Sequence, residues 1–152
     1  MRGLESILRE SSFFADLDDA HASVLAGCAR NCRFEAGTYL FHEGDPANEF
    51  FVIREGQVAL DVVAPGQEPI VFCTLGEGEV VGASWVVPPY RWLFDARAVT
   101  ATRALGIDAA CLRRKSDEDH DFGYMLMKRF LPVFVKRLHA TRLQMFDVYR
   151  KR

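Results

Sequence analysis

Long apolar runs are missing from this chain: none approaches the roughly 20 consecutive residues that a membrane-spanning helix needs, so no membrane partner is expected. The opening Met1-Arg2-Gly3-Leu4-Glu5-Ser6 lacks a signal-peptide pattern, and the expected location is cytoplasmic. Cysteine is sparse, and Cys28, Cys32, Cys73 and Cys111 do not take zinc-ligand spacing. They are expected as reduced, buried thiols packing as small hydrophobes; redox sensing by the Cys28/Cys32 pair is the alternative. Of the histidines at 21, 42, 120 and 139 only His42 falls on an expected strand, without His-x-His spacing, so no metal site is expected. No Ser/His/Asp set, acid–base carboxylate pair or P-loop stands in a suitable context, and the chain is not expected to be an enzyme. A net charge of −2 gives no global attraction to nucleic acid. Internal repeats and low-complexity segments are absent.

What remains is one domain's worth of chain, 152 residues, 49% hydrophobic, with 12 phenylalanines to fill an interior. Charge is distributed unevenly. Residues 1–111 hold 8 Lys+Arg against 16 Asp+Glu, and residues 112–152 hold 11 against 5. The basic C-terminal part reads as a solvated helix face or as a docking surface for an acidic partner.

Three regions follow along the chain. Residues 1–32 read as short helices: Leu4, Ile7, Leu8 and Phe14 mark one amphipathic face, and Asp18 or Asp19 can cap a second helix over 21–29. From 33 to 108, short apolar runs at 37–42, 50–54, 57–63, 70–74, 79–82, 94–100 and 103–107 alternate with glycine-bearing turns. That spacing predicts an antiparallel roll of jelly-roll type, so the fold class is mainly β with flanking helices. Residues 109–152 read as a short helix followed by a long one. On the long helix, Tyr124, Met127, Leu131, Phe134, Leu138, Thr141, Met145 and Val148 alternate spacings of three and four, an a/d seam. Met125, Leu126, Phe130 and Val133 form a second stripe beside it. Two stripes need two partners: the roll for one and, for the other, a second copy of the helix in a homodimer. The alternative is a helix that only folds back on its own domain. Pro132 predicts a kink near 128–132.

The most informative stretch runs from Gly37 to Val58. Gly37, Gly44 and Gly56 punctuate it, Asp45 and Asn48 stand at its turns, and Phe51-Val52-Ile53 fills a strand. It resembles the signature of the cyclic nucleotide-binding domain family, as in the catabolite activator (Crp/Fnr-like) sensors and kinase regulatory subunits. Leu75-Gly76-Glu77-Gly78-Glu79-Val80-Val81-Gly82 likewise resembles the family's run into its phosphate-binding cassette. The resemblance spans roughly residues 10–150. It implies a regulatory ligand-sensing module in which binding at the cassette repositions the C-terminal helix. Family transcription factors continue into a helix-turn-helix after that helix; this sequence ends at Arg152, so direct DNA binding is not expected and a protein partner is.

Beyond Gly82 the sequence departs from the family. Ala83 stands where the resemblance implies a glutamate for the ribose 2′-hydroxyl, and Trp92 where it implies a phosphate-pairing arginine, with Arg91 adjacent. A sugar hydroxyl left without its partner costs about 1–3 kcal/mol, and losing a charge-assisted pair costs more. The remaining candidate ligand residues are Gly82, Ala83, Ser84, Trp85, Arg91 and Trp92. The backbone after Gly82 can form an anion-binding nest, Ser84 adds a hydroxyl, and Arg91 is either the replacement cation or a surface residue. No cofactor is certain; a cyclic nucleotide or another small anionic or aromatic ligand is the candidate occupant. Trp85, Tyr90 and Trp92 can line a planar-ligand pocket or collapse into the vacant one and fill it, leaving a ligand-free dimeric scaffold.

Overall fold

The apolar runs between the glycine turns become two antiparallel four-stranded sheets. In the first, β1 (Ala29–Phe34) pairs with β8 (Thr102–Asp108), which pairs with β3 (Glu49–Glu55), which pairs with β6 (Val80–Val81). In the second the order is β2 (Tyr39–Phe41), β7 (Asp95–Ala98), β4 (Val58–Val62) and β5 (Ile70–Leu75). This is the antiparallel roll with flanking helices that the spacing predicts. The computed structural model describes residues 3–150, and for 141 and 144–150 the backbone alone. The expectations placed on the side chains of Thr141, Met145 and Val148 therefore lie outside the described residues.

The central strands are buried on both faces. Phe50 to Ile53 and Val58 to Asp61 are all closed to solvent, and these two segments form the middle of the core. The corner between them needs glycine. Gly56 has φ +105°, and a Cβ there would lie 2.7 Å from the Ala101 carbonyl oxygen and 2.9 Å from the Thr102 Cα.

Helices close the roll. α1 (Leu4–Glu10) buries Ile7 and Leu8. α2 (Asp19–Gly27) is capped by Asp18, whose carboxylate accepts from the His21 N–H at 2.8 Å. α3 (Ala109–Glu118) is capped by Asp108, which accepts from the Cys111 N–H at 3.0 Å. α4 (His120–Arg150) runs through Pro132 without a break. Proline there removes the bond to the Lys128 carbonyl; both residues are exposed, so water can take the place of the missing donor.

Two expectations need correction. Strand structure begins at Ala29, not 33, because β1 pairs with β8 from Ala29↔Ile107 to Phe34↔Thr102. Its Ala-Arg-Asn-Cys-Arg-Phe sequence has too few apolar residues to announce a strand, and pairing with β8 supplies the stability. The cysteines are the second. Cys28 and Cys111 form a disulfide with their Cα atoms 6.1 Å apart, while Cys32 and Cys73 are free. Cys32 lies on a strand and so cannot share a helical face with Cys28. Return of the chain along β8 instead brings the start of α3 beside the end of α2, where the Asp108 N–H donates to the Cys28 carbonyl at 2.8 Å. Burial pushes both free thiols above their ordinary pKa.

Candidate functional site

The turn at Gly44–Ala47 and the segment Tyr90–Trp92 run side by side. The Gly44 N–H donates to the Trp92 carbonyl at 2.8 Å, the Trp92 N–H to Asp45 at 3.0 Å, and the Ala47 N–H to Tyr90 at 2.7 Å. Pro46 and Arg91 form an isolated antiparallel bridge. Neighbouring side chains on an extended segment point to opposite faces, so only one of Arg91 and Trp92 can face the roll interior. Trp92 takes that place. It is 3% exposed and stacks on Phe41 with ring centroids 3.7 Å apart and planes at 8°. Arg91 is exposed, and its Nη1 donates to the Gly44 carbonyl at 3.2 Å.

Gly82 lies against the Trp92 ring. Its φ is +97°, and a Cβ there would sit 2.4 Å from two ring carbons. Ala83 is buried and brings no acceptor. Ser84–Val86 makes one turn of 3-10 helix, with the Val86 N–H bonded to the Ala83 carbonyl at 3.2 Å. Ser84 is half-buried beside it. The first N–H groups of such a turn have no partner within it, which is the element an anion nest requires.

Trp85 points the other way and ties the cassette to the helices. It is 1% exposed, stacks on Phe50 of β3 (5.1 Å, 11°) and meets the edge of Phe130 of α4 (5.1 Å, 81°). Arg113 of α3 donates from Nη1 to the Trp85 carbonyl at 2.9 Å, and its guanidinium lies 4.2 Å from the centroid of the Tyr90 ring. The six candidate ligand residues therefore separate. Trp92 and Gly82 face the roll interior, Trp85 faces α4, and Arg91 faces solvent.

α4 shows the two stripes as two environments. Phe122, Leu126 and Phe130 are buried, Phe122 against His21 of α2 and Phe130 against Phe50 of the roll. On the seam, Tyr124, Leu131, Phe134 and Leu138 are exposed, and Met127 is partly buried against the core. Arg129 fixes the helix to the N-terminal region: Nη1 donates to the Phe13 carbonyl at 2.6 Å and Nη2 to Asp16 at 2.7 Å. That hydrogen bond holds the Asp16 carboxyl below its ordinary pKa.

A cleft of about 340 Å³ opens between α4 and the β5–β6 edge, lined by Phe13, Cys73, Leu75, Val80, Val133 and Arg137 among others. Arg137 donates to the Val80 carbonyl, and burial pushes its guanidinium below the ordinary value. Sequence reasoning passed over Arg113 and Arg137. The only signal for Arg137 was its helical spacing from Phe130 and Val133, which places it on the inward stripe. Arg97 lies 3.7 Å (Nε) from Asp61, which is 2% exposed.

Among the described residues no group of three or more metal-ligating side chains occurs, and no helix is long and apolar enough to cross a membrane. The family model for the cyclic nucleotide-binding domain matches residues 31–119. The chain is 30% identical over 144 residues to cyclic nucleotide-gated ion channel 18 of Arabidopsis thaliana, covering 91% of this chain and 19% of the channel. It is 21% identical over 145 residues to a CRP-like cAMP-activated global transcriptional regulator of Mycobacterium tuberculosis (strain CDC 1551 / Oshkosh), covering 95% of this chain and 63% of the regulator. The chain thus spans less than two thirds of either relative. Among solved structures it is similar to a candidate cyclic nucleotide-binding protein from Geobacter metallireducens GS-15, with TM-score 0.79 and 28% identity over 91% of this chain and 100% of that one. With the roll, the glycine-bearing turns and the family match in agreement, the chain belongs to the cyclic nucleotide-binding domain family.

Proposed function

We propose that this chain is a regulatory ligand-sensing module that reads the state of its cassette through Trp85 and delivers it to α4 as a change in dimer assembly. The placement of Trp85 carries the reading. A cassette residue packed between Phe50 of the roll and Phe130 of α4 cannot move without one of those contacts changing. Packed interfaces of this kind switch between discrete arrangements and do not yield gradually.

Trp92 acts as the gate in this scheme. A ligand entering the roll from the cassette side must displace its ring from Phe41, and its anionic part is assigned to the cleft under α4, where Arg137 carries positive charge while bonded to the Val80 carbonyl. Cyclic nucleotides come first among candidate ligands because the M. tuberculosis relative is described as cAMP-activated; another small anionic or aromatic molecule is next. The output surface is the exposed seam of α4. Its three–four spacing suits a second copy of the same helix, packed at the shallow angle of a two-stranded coil. Such an output acts through protein contacts and needs neither DNA nor a membrane.

One observation favours a second reading, a ligand-free dimeric scaffold: Trp92 already fills the interior that a ligand would use. Calorimetric titration with cAMP and cGMP separates the two. The sensor reading expects saturable binding to the wild type, weakened by Arg137→Leu and unchanged by Arg91→Ala, since Arg91 faces solvent. No heat with the wild type, but heat with Trp92→Ala, supports the scaffold and overturns the sensor.

A further inference from the structure

A second cleft, of about 380 Å³, lies outside the roll where the cassette meets the joint between α3 and α4. Its volume is within the range of small-molecule sites, about 300–1,000 Å³. Two of its lining residues carry buried polar atoms with no hydrogen-bond partner among the described residues: the indole Nε1 of Trp85 and the hydroxyl Oγ of Ser116. Buried donors in native proteins are nearly always satisfied, so each of these has capacity that an acceptor would fill. Indole N–H is a donor only, and a serine hydroxyl can donate.

Arg113, half-buried in the same lining, adds positive charge. Its Nη1 is bonded to the Trp85 carbonyl and its face covers Tyr90, yet it has no carboxylate partner among the described residues. Two of its side-chain nitrogens thus keep donor capacity, in the planar fork that matches a carboxylate. The rest of the lining includes Val86 and Met127, which are apolar, while Asp117 and His120 are exposed at the rim. Asp117 sets a limit on ligand charge: one arginine opposed by one nearby carboxylate suits a monoanion better than a dianion.

We propose that the cleft between the cassette and the α3–α4 joint is a second ligand site, for a small monocarboxylate with an apolar body. The carboxylate pairs with Arg113 and accepts from Trp85 and Ser116 once their closed-off donors turn toward the cleft, and the body packs against Met127 and Val86. Gly123 keeps the joint tight around the site, since a Cβ there would lie 3.2 Å from the Ser116 Cβ. An occupant would bridge cassette and helices at the contact through which the proposed signal passes. The site does not depend on the roll interior, and the two readings can fail separately.

Nuclear magnetic resonance tests it with benzoate as the probe. The chain has two tryptophans, so two indole N–H cross-peaks are expected, and Trp92→Phe assigns the one belonging to Trp85. Millimolar benzoate should move the Trp85 peak saturably and leave that of Trp92 in place. Arg113→Leu should weaken binding roughly tenfold to hundredfold, as expected for a charge-assisted bond. Because Arg113 also holds the cassette backbone, Ser116→Ala is the second variant, expected to weaken binding about two- to tenfold with the fold unchanged. No movement of the Trp85 peak with benzoate overturns the proposal. Equal binding of uncharged benzamide overturns it too, as does tighter binding of inorganic phosphate than of benzoate.

Discussion

Gly82→Ala tests whether Trp92 closes the roll, and its cost can be worked from the structure. Gly82 has φ +97°, a conformation that costs an L-residue about 1–2 kcal/mol. The new Cβ would sit 2.4 Å from two carbons of the Trp92 ring, which is itself stacked on Phe41 and cannot simply rotate away. Overpacking of this kind adds about 1–3 kcal/mol. The expected loss is therefore about 2–5 kcal/mol, or roughly 2–4 °C of melting temperature per kcal/mol in a chain of this size. Two other glycines calibrate it. Gly44 has φ +89° with nothing within 4 Å of its Cβ position, so Gly44→Ala should show the strain alone, about 1–2 kcal/mol. Gly56→Ala should exceed both, because its obstacles are backbone atoms. Urea unfolding of the three variants, with Gly82→Ala repeated in a Trp92→Leu background, completes the cycle. Removing the ring should recover about 1–3 kcal/mol of the Gly82→Ala loss. Equal losses at Gly44 and Gly82, or no recovery without the ring, would refute the placement of Trp92 over Gly82.

Arg97→Leu leaves Asp61, 2% exposed, as a buried carboxylate without its cation, and thermal unfolding should register a loss of about 3–5 kcal/mol. The Cys28–Cys111 disulfide closes 83 residues of sequence, so oxidised protein should exceed the Cys28→Ser/Cys111→Ser variant by about 2–4.5 kcal/mol, with the gap vanishing in dithiothreitol. Leu138→Glu places charge on the exposed seam; sedimentation should show a dimer for the wild type and a monomer for the variant, and a monomeric wild type would refute the seam as a dimer surface. The Asp16 pKa is lowered by Arg129, so this group stabilises the fold above the unfolded carboxylate pKa of about 3.9, and that contribution is lost as pH falls through the lower folded value. The difference in melting temperature between wild type and Asp16→Asn should accordingly be full at neutral pH and disappear in acid; a difference that persists there contradicts the linkage.

The roll was legible because its signals are local. Glycine at positive φ and apolar runs of strand length mark β2 to β8 within a residue or two, and of the two caps expected for α2, Asp18 or Asp19, Asp18 takes the place. β1 was not legible, since its one buried residue, Cys32, gives no period and its stability comes from pairing with β8. The disulfide was hidden for a related reason: Cys28 and Cys111 are 83 residues apart, and only the return along β8 brings them together. In the candidate site, the presence of Trp92 where the resemblance implies a cation was readable, but the direction of its ring was not. That direction follows from four backbone groups at Gly44, Asp45, Ala47 and Tyr90, which fix which of two neighbouring side chains turns inward.

The departures from the family's cassette that the resemblance implies at Ala83 and Trp92 would be physically coupled. A carboxylate at 83, next to the Gly82 that meets the Trp92 ring, would be a buried charge with no partner, and an arginine at 92 without an acid at 83 would be the reverse. Either change alone is costly, whereas both together remove the charges and put a ring in their place. Stacking of Trp92 on Phe41 then supplies contact where the resemblance implies a ligand. Trp85, by contrast, packs between Phe50 of the roll and Phe130 of α4. A cassette with altered ligand chemistry would thus still have a mechanical connection to the helix. For that reason the proposed regulatory role rests on Trp85 and Phe130, and the identity of the ligand rests on Trp92 and Arg137.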